Sequence, residues 1–530
     1  MPTKTIPYAE TGYFSNLICD YLAENDSLTS FYGNFPKVGN FKKQIEAKQS
    51  FTQESRDILV EALKKQYINA SISKETRDNI QSLADKNTLT ITTGHQLNLF
   101  TGPLYFLYKI FSVINLSEKL NKEDPENHFV PVYWMASEDH DFEEINYFNL
   151  EGKKIQWSRE ASGAVGELST KGLDEVLGAV KAKLGNSEHA QYLTDLFAEA
   201  YTKHKNLTAA TRYLANELFK TYGLVIIDGN DASLKKAFIP YAEKELTENL
   251  SFKKVTETTK QLTDLGYTEQ VHPREINLFY LKEGLRERII ERDGTFYINE
   301  TDLSFTKEEL LEELENHPER FSPNALLRPL FQEVVLPNLC YVGGGGELAY
   351  WFQLKDYFNA VEVPFPMLLL RNSVLLLPSK LSKKLDKLNV SVEDLFLKQH
   401  ELKIKHTHRI SEIDIDFSEQ REHLQQQFKD LYTIAEKTDA SFLGAVGAQE
   451  KKQLNGLDNL EKRLLKAQKR KLADELERLT KIQNTLFPNQ SLQERTMNFS
   501  EFYLEHGTGL LSEVKNNLDP LVNKFTVLEL

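Results

Sequence analysis

The sequence has 530 residues, of which 40% are hydrophobic, 11% aromatic and 27% charged, and it carries a net charge of −14. A chain of that length exceeds one ordinary core and implies about two to four folded units. The acidic balance argues against a binder that neutralises nucleic-acid phosphates, and no apolar run reaches the ~18 residues of a membrane span. Two cysteines, Cys19 and Cys340, supply neither a disulfide framework nor a zinc ribbon. The first thirty residues lack a basic segment followed by an apolar one. The expected setting is the reducing cytoplasm.

The first strong unit is strand, polar loop, helix. Leu89 to Gly94 is a short β-branched strand. After His95–Pro103, Leu104, Leu107, Tyr108, Phe111, Ile114 and Leu120 recur at helical spacing, with Thr101 as the expected N-cap and Pro103 in the first turn. Further strands are expected at Phe129–Met135, Leu224–Asp228, Asn338–Val342 and Phe365–Leu370, and helices at Leu327–Leu336 and Glu347–Phe358. Apolar runs alternating with amphipathic helices predict a parallel sheet covered on both faces, with ligands beyond the carboxyl ends of its strands.

Two insertions interrupt this pattern. Residues 151–210 read as mostly helical. Residues 240–320 carry the alternations Leu278–Leu281, Arg288–Arg292 and Thr295–Ile298, which suggest a small β-containing lobe. The expected boundaries are 1–150, 211–239 and 321–378 for the parts of the core, 379–490 for a coiled-coil domain, and 491–530 for a segment packing back on the core. Within 379–490, Phe417, Leu424, Phe428, Leu431 and Ala435 repeat at 7, 4, 3, 4, and Leu457, Leu460, Leu464 and Ala467 at 3, 4, 3. Leu472, Leu476, Leu479 and Leu486 continue the stripe after a shift in register, and Pro488 ends it. With a break placed at Gly444 and Gly447, this predicts an antiparallel coiled-coil hairpin that forms a homodimer, against a plain helical bundle packed on the core.

The chemistry concentrates at the expected strand ends. Glu138, Asp139, His140, Asp141, Glu143 and Glu144 place five carboxylates and one imidazole within seven residues. Such crowding suits acid–base work, a metal or an ammonium group, or else an acidic helix start. His95 and Gln96 follow the first strand and precede a helix. Gly343, Gly344, Gly345 and Gly346 run into Glu347 and let a backbone approach a ligand, or form a tight turn. No Gly-Lys-Ser/Thr follows, and no dinucleotide fingerprint is present. Arg328 and Arg371 flank the glycine run as candidate grips for a carboxylate or phosphate, with Gln332 one turn after Arg328. No zinc-ligand spacing is found, and no metal is expected.

Taken together, Thr93–Gln96 running into Leu99–Tyr105, Pro131–Glu144, Ser322–Gln332, Tyr341–Tyr350, and Leu492–Arg495 with Asn498, Phe499, His506 and Gly507 resemble the bacillithiol-biosynthesis cysteine-adding (BshC) family. The resemblance spans roughly residues 90–507 and implies an α/β Rossmann-like core with inserted connecting-peptide regions and a C-terminal antiparallel α-helical coiled coil that forms a homodimer. It also implies a ligase that adds cysteine to glucosaminyl-malate by an amide bond, with ATP or another nucleotide supplying the energy. Its nucleotide pocket would place Arg495, Asn498 and His506 at that ligand. Neither a His-x-Gly-His nor a Lys-Met-Ser-Lys-Ser pattern accompanies it. In this reading His95, Glu138, Asp139, His140 and Asp141 are the catalytic candidates. Gln96, Glu144, Arg328, Gln332, Gly343–Gly346, Glu347 and Arg371 are the substrate-binding candidates. Two other readings stay open: a metal-dependent hydrolase using the acid–histidine cluster, and a non-catalytic coiled-coil scaffold.

Overall fold

The computed structural model describes residues 3–530. It divides into a larger unit, which runs to Leu375 and resumes over Gln493–Leu528, and a smaller one, Leu376–Leu492 with Glu529–Leu530.

The larger unit is built on a parallel sheet of β1 (Thr88–His95), β2 (His128–Met135), β3 (Val225–Asp228), β4 (Asn338–Gly343) and β5 (Met367–Leu370), in the spatial order β5-β4-β1-β2-β3. These are the strands expected from the apolar runs, with ends shifted by one or two residues. Both faces of β1 are buried, so the threonines that alternate with Leu89 and Ile91 in Thr-Leu-Thr-Ile-Thr-Thr lie in the interior as well. Its threonines still find acceptors: Thr93 donates to the Val342 carbonyl at 2.7 Å. The strand order reverses direction at β1, so a crevice opens between the carboxyl ends of β1 and β4.

Between β1 and the helix α1 (Tyr105–Glu123) the chain makes a strained turn. Phe100 and Thr101 have φ of 47° and 68°, a region costly for residues with a Cβ. The turn is held by its surroundings. The Tyr201 hydroxyl accepts from the Phe100 N–H at 2.8 Å, and the Asn498 amide donates to the Phe100 and Gly102 carbonyls at 2.8 and 2.6 Å. Thr101 therefore does not cap α1; Leu104 occupies that position and gives no side-chain cap.

The expected β lobe is an antiparallel sheet of Leu278–Lys282, Leu285–Arg292, Thr295–Ile298, Ser304–Phe305 and Phe321–Pro323, with the last strand on the outer edge of Leu278–Lys282. Residues 151–210 contain the strand Lys153–Gln156, the helices Leu173–Leu184 and Glu188–Lys203, and the start of the helix Leu207–Phe219. Thr3–Pro7 pairs antiparallel with the C-terminal strand, Thr3 opposite Leu528.

The smaller unit is helical. After β5, α2 (Arg328–Val335) and α3 (Gly345–Trp351), which belong to the larger unit, the chain forms α4 (Ser418–Ala435), α5 (Ala440–Lys471) and α6 (Ala473–Leu486). Helices α4 and α5 are an antiparallel hairpin: Arg421 bonds Asp458 and Glu461 at 2.8 Å, and Tyr432 donates to Glu450 at 2.8 Å. Its tip lies at residues 436–439, where Asp439 accepts from the Ser441 and Phe442 N–H groups, and not at the glycines. Gly444 and Gly447 are inside α5, and a Cβ on Gly447 would stand 3.1 Å from the Tyr432 hydroxyl. Glycine there serves close approach of two helices rather than a turn. Phe428, Ala435 and Val446 form the hairpin's small core. Leu431 and Leu460, expected in the stripe that faces the partner helix, are exposed.

Candidate functional site

A cavity of about 640 Å³ opens at the carboxyl ends of β1, β2 and β4, roofed by the β lobe. Gly94 and His95 enter it from β1, Glu138, Asp139 and His140 from the loop after β2, Arg328 from the start of α2, Tyr341 from β4 and Glu347 from α3.

The acidic loop is fixed from behind. Val165 N–H donates to the Asp139 carbonyl at 2.7 Å and Gly166 N–H to the Ser137 carbonyl at 2.8 Å. A Cβ on Gly166 would lie 2.7 Å from the Ser137 Cβ, so only glycine allows that approach. Ser137 also donates to Asp228 at the end of β3. The crowding expected from sequence is relieved by pairing Glu138 with a lysine, bridging Asp139 and Glu144 through one amide, and leaving Asp141 and Glu143 in water. Glu138 pairs with the buried Lys235, which also donates to the Phe321 carbonyl at 2.8 Å. Asp139 accepts from Gln96 at 2.9 Å and from the His140 N–H at 2.8 Å, and Glu144 accepts from the same Gln96 amide at 2.8 Å. Asp141 and Glu143 are exposed and lie outside the cavity lining.

The His140 ring is oriented by the lobe. Arg286 Nη1 approaches His140 Nδ1 to 2.5 Å, and the guanidinium lies 3.9 Å over the Phe279 ring. Because a guanidinium can only donate, Nδ1 is the acceptor and Nε2 carries the ring proton. Burial lowers the Arg286 pKa, and the Glu138 and Asp139 charges oppose that shift. His95 is buried between Tyr105 and Phe106. Burial, with the Lys109 charge second, holds its imidazole well below its usual pKa, so it is neutral at physiological pH.

None of Gly343–Gly346 lines the cavity, and the Gly344 N–H is already taken. Glu347 turns back to accept from it at 3.2 Å, and also accepts from Tyr341 at 2.8 Å and pairs with Lys109 at 2.6 Å. Burial alone would raise the Glu347 pKa, but Lys109 outweighs it and the carboxyl sits below its usual range. Arg371 is also not a free grip. It pairs with buried Glu494 at 2.7 Å, donates to Ser373 and the Asn372 carbonyl, and is absent from the cavity lining. Gln332 is wholly buried behind Arg328, whose Nη1 it accepts at 3.0 Å. Asn498 clamps the Phe100 turn, while Arg495 is exposed and His506 half-buried. Neither of the latter lines the cavity, and only Arg495 acts on it electrostatically, through Tyr105.

Sequence reasoning missed Lys109, Lys235, Arg274, Arg286 and Arg288. Lys109 and Lys235 left a trace, as lysines on otherwise apolar helix faces. The three arginines reach the cavity through the placement of the lobe, which no local pattern encodes. Among the described residues, no three His, Cys, Asp or Glu side chains come together as metal ligands, and no helix is long and apolar enough to cross a membrane. Both cysteines are free thiols.

A crevice at the switch point of a parallel sheet, joined in one chain to a helical hairpin, defines a Rossmann-like protein with a coiled-coil domain. Residues 1–372 match the family described as "Bacillithiol biosynthesis BshC, N-terminal Rossmann-like domain", and residues 374–530 match its C-terminal coiled-coil domain. The chain belongs to the BshC family. It is 58% identical to a protein of Christiangramia forsetii over 533 residues, covering 100% of this chain and 99% of the relative. It is 57% identical to one of Flavobacterium johnsoniae over 529 residues, covering 100% of both. It is 30% identical to one of Salinibacter ruber over 524 residues, covering 97% and 96%. Each of the three is named "Putative cysteine ligase BshC".

Proposed function

We propose that this protein is a cytoplasmic ligase that joins the carboxyl group of cysteine to the amine of glucosaminyl-malate, the last step of bacillithiol synthesis. The observation that carries the reading is the cavity itself. The oriented acid–imidazole pair Asp139–His140 lines the same cavity as the cationic side chains Lys109, Arg274, Arg286, Arg288 and Arg328. The names of the relatives point the same way.

A free carboxylate is not attacked by an amine in water, so it must first gain a leaving group. A nucleoside triphosphate supplies it. A cysteine carboxylate oxygen bonds to phosphorus, releasing pyrophosphate if an acyl-adenylate forms or a nucleoside diphosphate if an acyl phosphate forms. The acceptor nitrogen then attacks the acyl carbon, the C–N bond forms as the C–O bond to the phosphoryl group breaks, and the amine loses one proton. Asp139 is placed to take that proton, with His140 Nε2–H as a donor beside it.

The test is mass spectrometry of purified protein with cysteine, glucosaminyl-malate and ATP. A product of bacillithiol mass that requires ATP is expected. No product with any nucleotide, although both small substrates bind, overturns the reading.

The helical unit supports a homodimer. Ile434, Phe442 and Leu460 are 56%, 46% and 54% exposed on the hairpin, an apolar surface that a second copy would cover. The double variant Ile434→Glu/Phe442→Glu is expected to be monomeric by light scattering with an unchanged melting temperature. A dimer that persists sinks the assignment.

A further inference from the structure

Beside the His95 ring lies a second, much smaller cavity of about 10 Å³. His95 and Gln96 line both it and the larger one, so they stand between the two. Four buried polar atoms of its lining residues have no hydrogen-bond partner among the described residues: His95 Nε2, Asn98 Oδ1, Thr101 Oγ1 and Thr211 Oγ1. The four residues are only 6%, 7%, 4% and 5% exposed, so bulk water does not supply the partners. A buried polar atom without a partner is costly, and four around one small space call for an occupant.

Each atom is kept from pairing within the chain in its own way. Helical threonines elsewhere turn the hydroxyl back to the carbonyl four residues earlier, as Thr202 does to Ala198 and Thr247 to Glu243, both at 2.8 Å. Thr211, in the helix Leu207–Phe219, does not. Asn98 donates from its amide nitrogen to the Glu144 carbonyl at 3.3 Å, which fixes the flip of the amide and leaves Oδ1 as an acceptor without a donor. Thr101 belongs to the strained turn that Tyr201 and Asn498 clamp at Phe100. The His95 ring packs on Tyr105 and Phe106, which hold it but leave Nε2 unbonded. The space is about what one water molecule needs, and a buried water takes about two to four polar partners. Water donates two hydrogen bonds and accepts two. Asn98 Oδ1 only accepts, the hydroxyls can do either, and the imidazole nitrogen does whichever its tautomer dictates, so one molecule satisfies all four. A cation fits less well: no carboxylate lines the space, and the Lys109 charge already acts on His95.

We propose that this small cavity is the site of a single internal water molecule that holds His95, and that Asn98, Thr101 and Thr211 act through it as positioning residues for the imidazole at the edge of the larger cavity. The water site stands on its own geometry; its effect on turnover rests on the reading of the larger cavity as the amide-forming site. Ring packing alone does not separate the two flip states of an imidazole, whereas a hydrogen bond at Nε2 does. The same bond decides which ring nitrogen carries the proton, and so what the rest of the ring offers to the larger cavity.

The test is a crystal structure of the full chain that resolves ordered solvent, together with two variants at position 211. A density peak is expected within about 2.6–3.2 Å of His95 Nε2 and of the three oxygens. Thr211→Val keeps the shape of the side chain and loses the hydroxyl; Thr211→Ser keeps the hydroxyl and loses the methyl group. The peak should be lost in the first and kept in the second. In turnover, Thr211→Val should lower kcat by about 10-fold, the scale of one buried hydrogen bond, with both substrate KM values in place, and Thr211→Ser should lower it less. A residue that only packs would give the reverse order, because serine leaves a gap that valine fills. That reverse order, or equal kcat in the two variants, overturns the positioning role. A parent structure with no peak, or with two of the four atoms bonded directly to each other, overturns the water site whether or not product forms. A peak that Thr211→Val removes, in a protein that forms no product, keeps the site and removes the ligase reading.

Discussion

The two units of this protein use charge in opposite ways. In the sheet unit, Lys48–Glu333, Arg371–Glu494 and Lys235–Glu138 are buried ion pairs. In the helical unit, Arg421 reaches Asp458 and Glu461 from a partly exposed position, and Lys481–Glu477 lies in water. A buried pair contributes little net stability but punishes the loss of one partner; an exposed pair contributes little and costs little to lose. The difference teaches that the charges around the cavity set geometry, whereas those on the hairpin decorate it.

Breaking a buried pair should therefore have the largest effect. Arg371→Met leaves the buried Glu494 charge with only the Val374 N–H at 2.9 Å and no cation, and is expected to cost about 3–5 kcal/mol in urea denaturation. Adding Glu494→Leu removes the stranded charge and should recover most of the loss. If Arg371→Met is destabilised by less than about 1 kcal/mol, the pair does not organise the core as described. Asp139 is the opposite kind of residue, partly solvated and bonded mainly by Gln96 and backbone N–H groups. Asp139→Asn should lower kcat by about 10²–10⁴-fold with little change in melting temperature. Full turnover in that variant would remove Asp139 from the proton-transfer role.

That contrast also explains what could be read from the sequence. The order strand, loop, helix around His95, the strand end at Met135, and the part of the α4 stripe formed by Leu424, Phe428 and Ala435 follow from local periodicity, and the structure has them, whereas β4 runs one residue further, to Gly343, and Leu431 is exposed. The Glu138–His140 segment was legible as chemistry because so many acids in one turn need a reason. What was not legible depends on partners far away in the chain. Arg371 looked like a free grip, but Glu494 stands against it across 123 residues. Gly343–Gly346 looked like an anion cradle, but Glu347 folds back into it. Arg274, Arg286 and Arg288 belong to a lobe whose placement over the strand ends is a tertiary fact. Gly444 and Gly447 looked like a turn because glycine breaks isolated helices, and the same lack of a side chain also serves close helix packing.

One half-buried acid has no cation against it among the described residues, and it tests the comparison from another side. Glu501, on the helix Phe499–His506, has its pKa pushed up to about 7 by burial and, less strongly, by the Glu151 charge; the Glu151 N–H works the other way. The folded state thus binds this proton more tightly than the unfolded chain, whose carboxyl titrates near the usual ~4.3. Stability from this group is present below that pH, declines as pH rises towards 7, and is gone above it. Since the site is only partly buried, the decline should be about 1–3 kcal/mol. Glu501→Gln should flatten that part of the stability–pH curve and be more stable than the parent at pH 8. Parallel curves for the two proteins would show that Glu501 is solvated in the folded state.

The smallest effect belongs to the hairpin. Arg421→Ala deletes both contacts that bridge α4 and α5 near residues 458–461, and on geometry alone, two bonds at 2.8 Å, it looks severe. The expectation is nevertheless a loss of under about 1 kcal/mol, shrinking further in 0.5 M salt, because water replaces the lost bonds and ions screen the charges. The hairpin's register would then rest on Phe428, Ala435 and Val446. A loss near that of Arg371→Met would mean that the hairpin, despite its exposure, is held by its ion pairs, and the division of labour between the two units would be wrong.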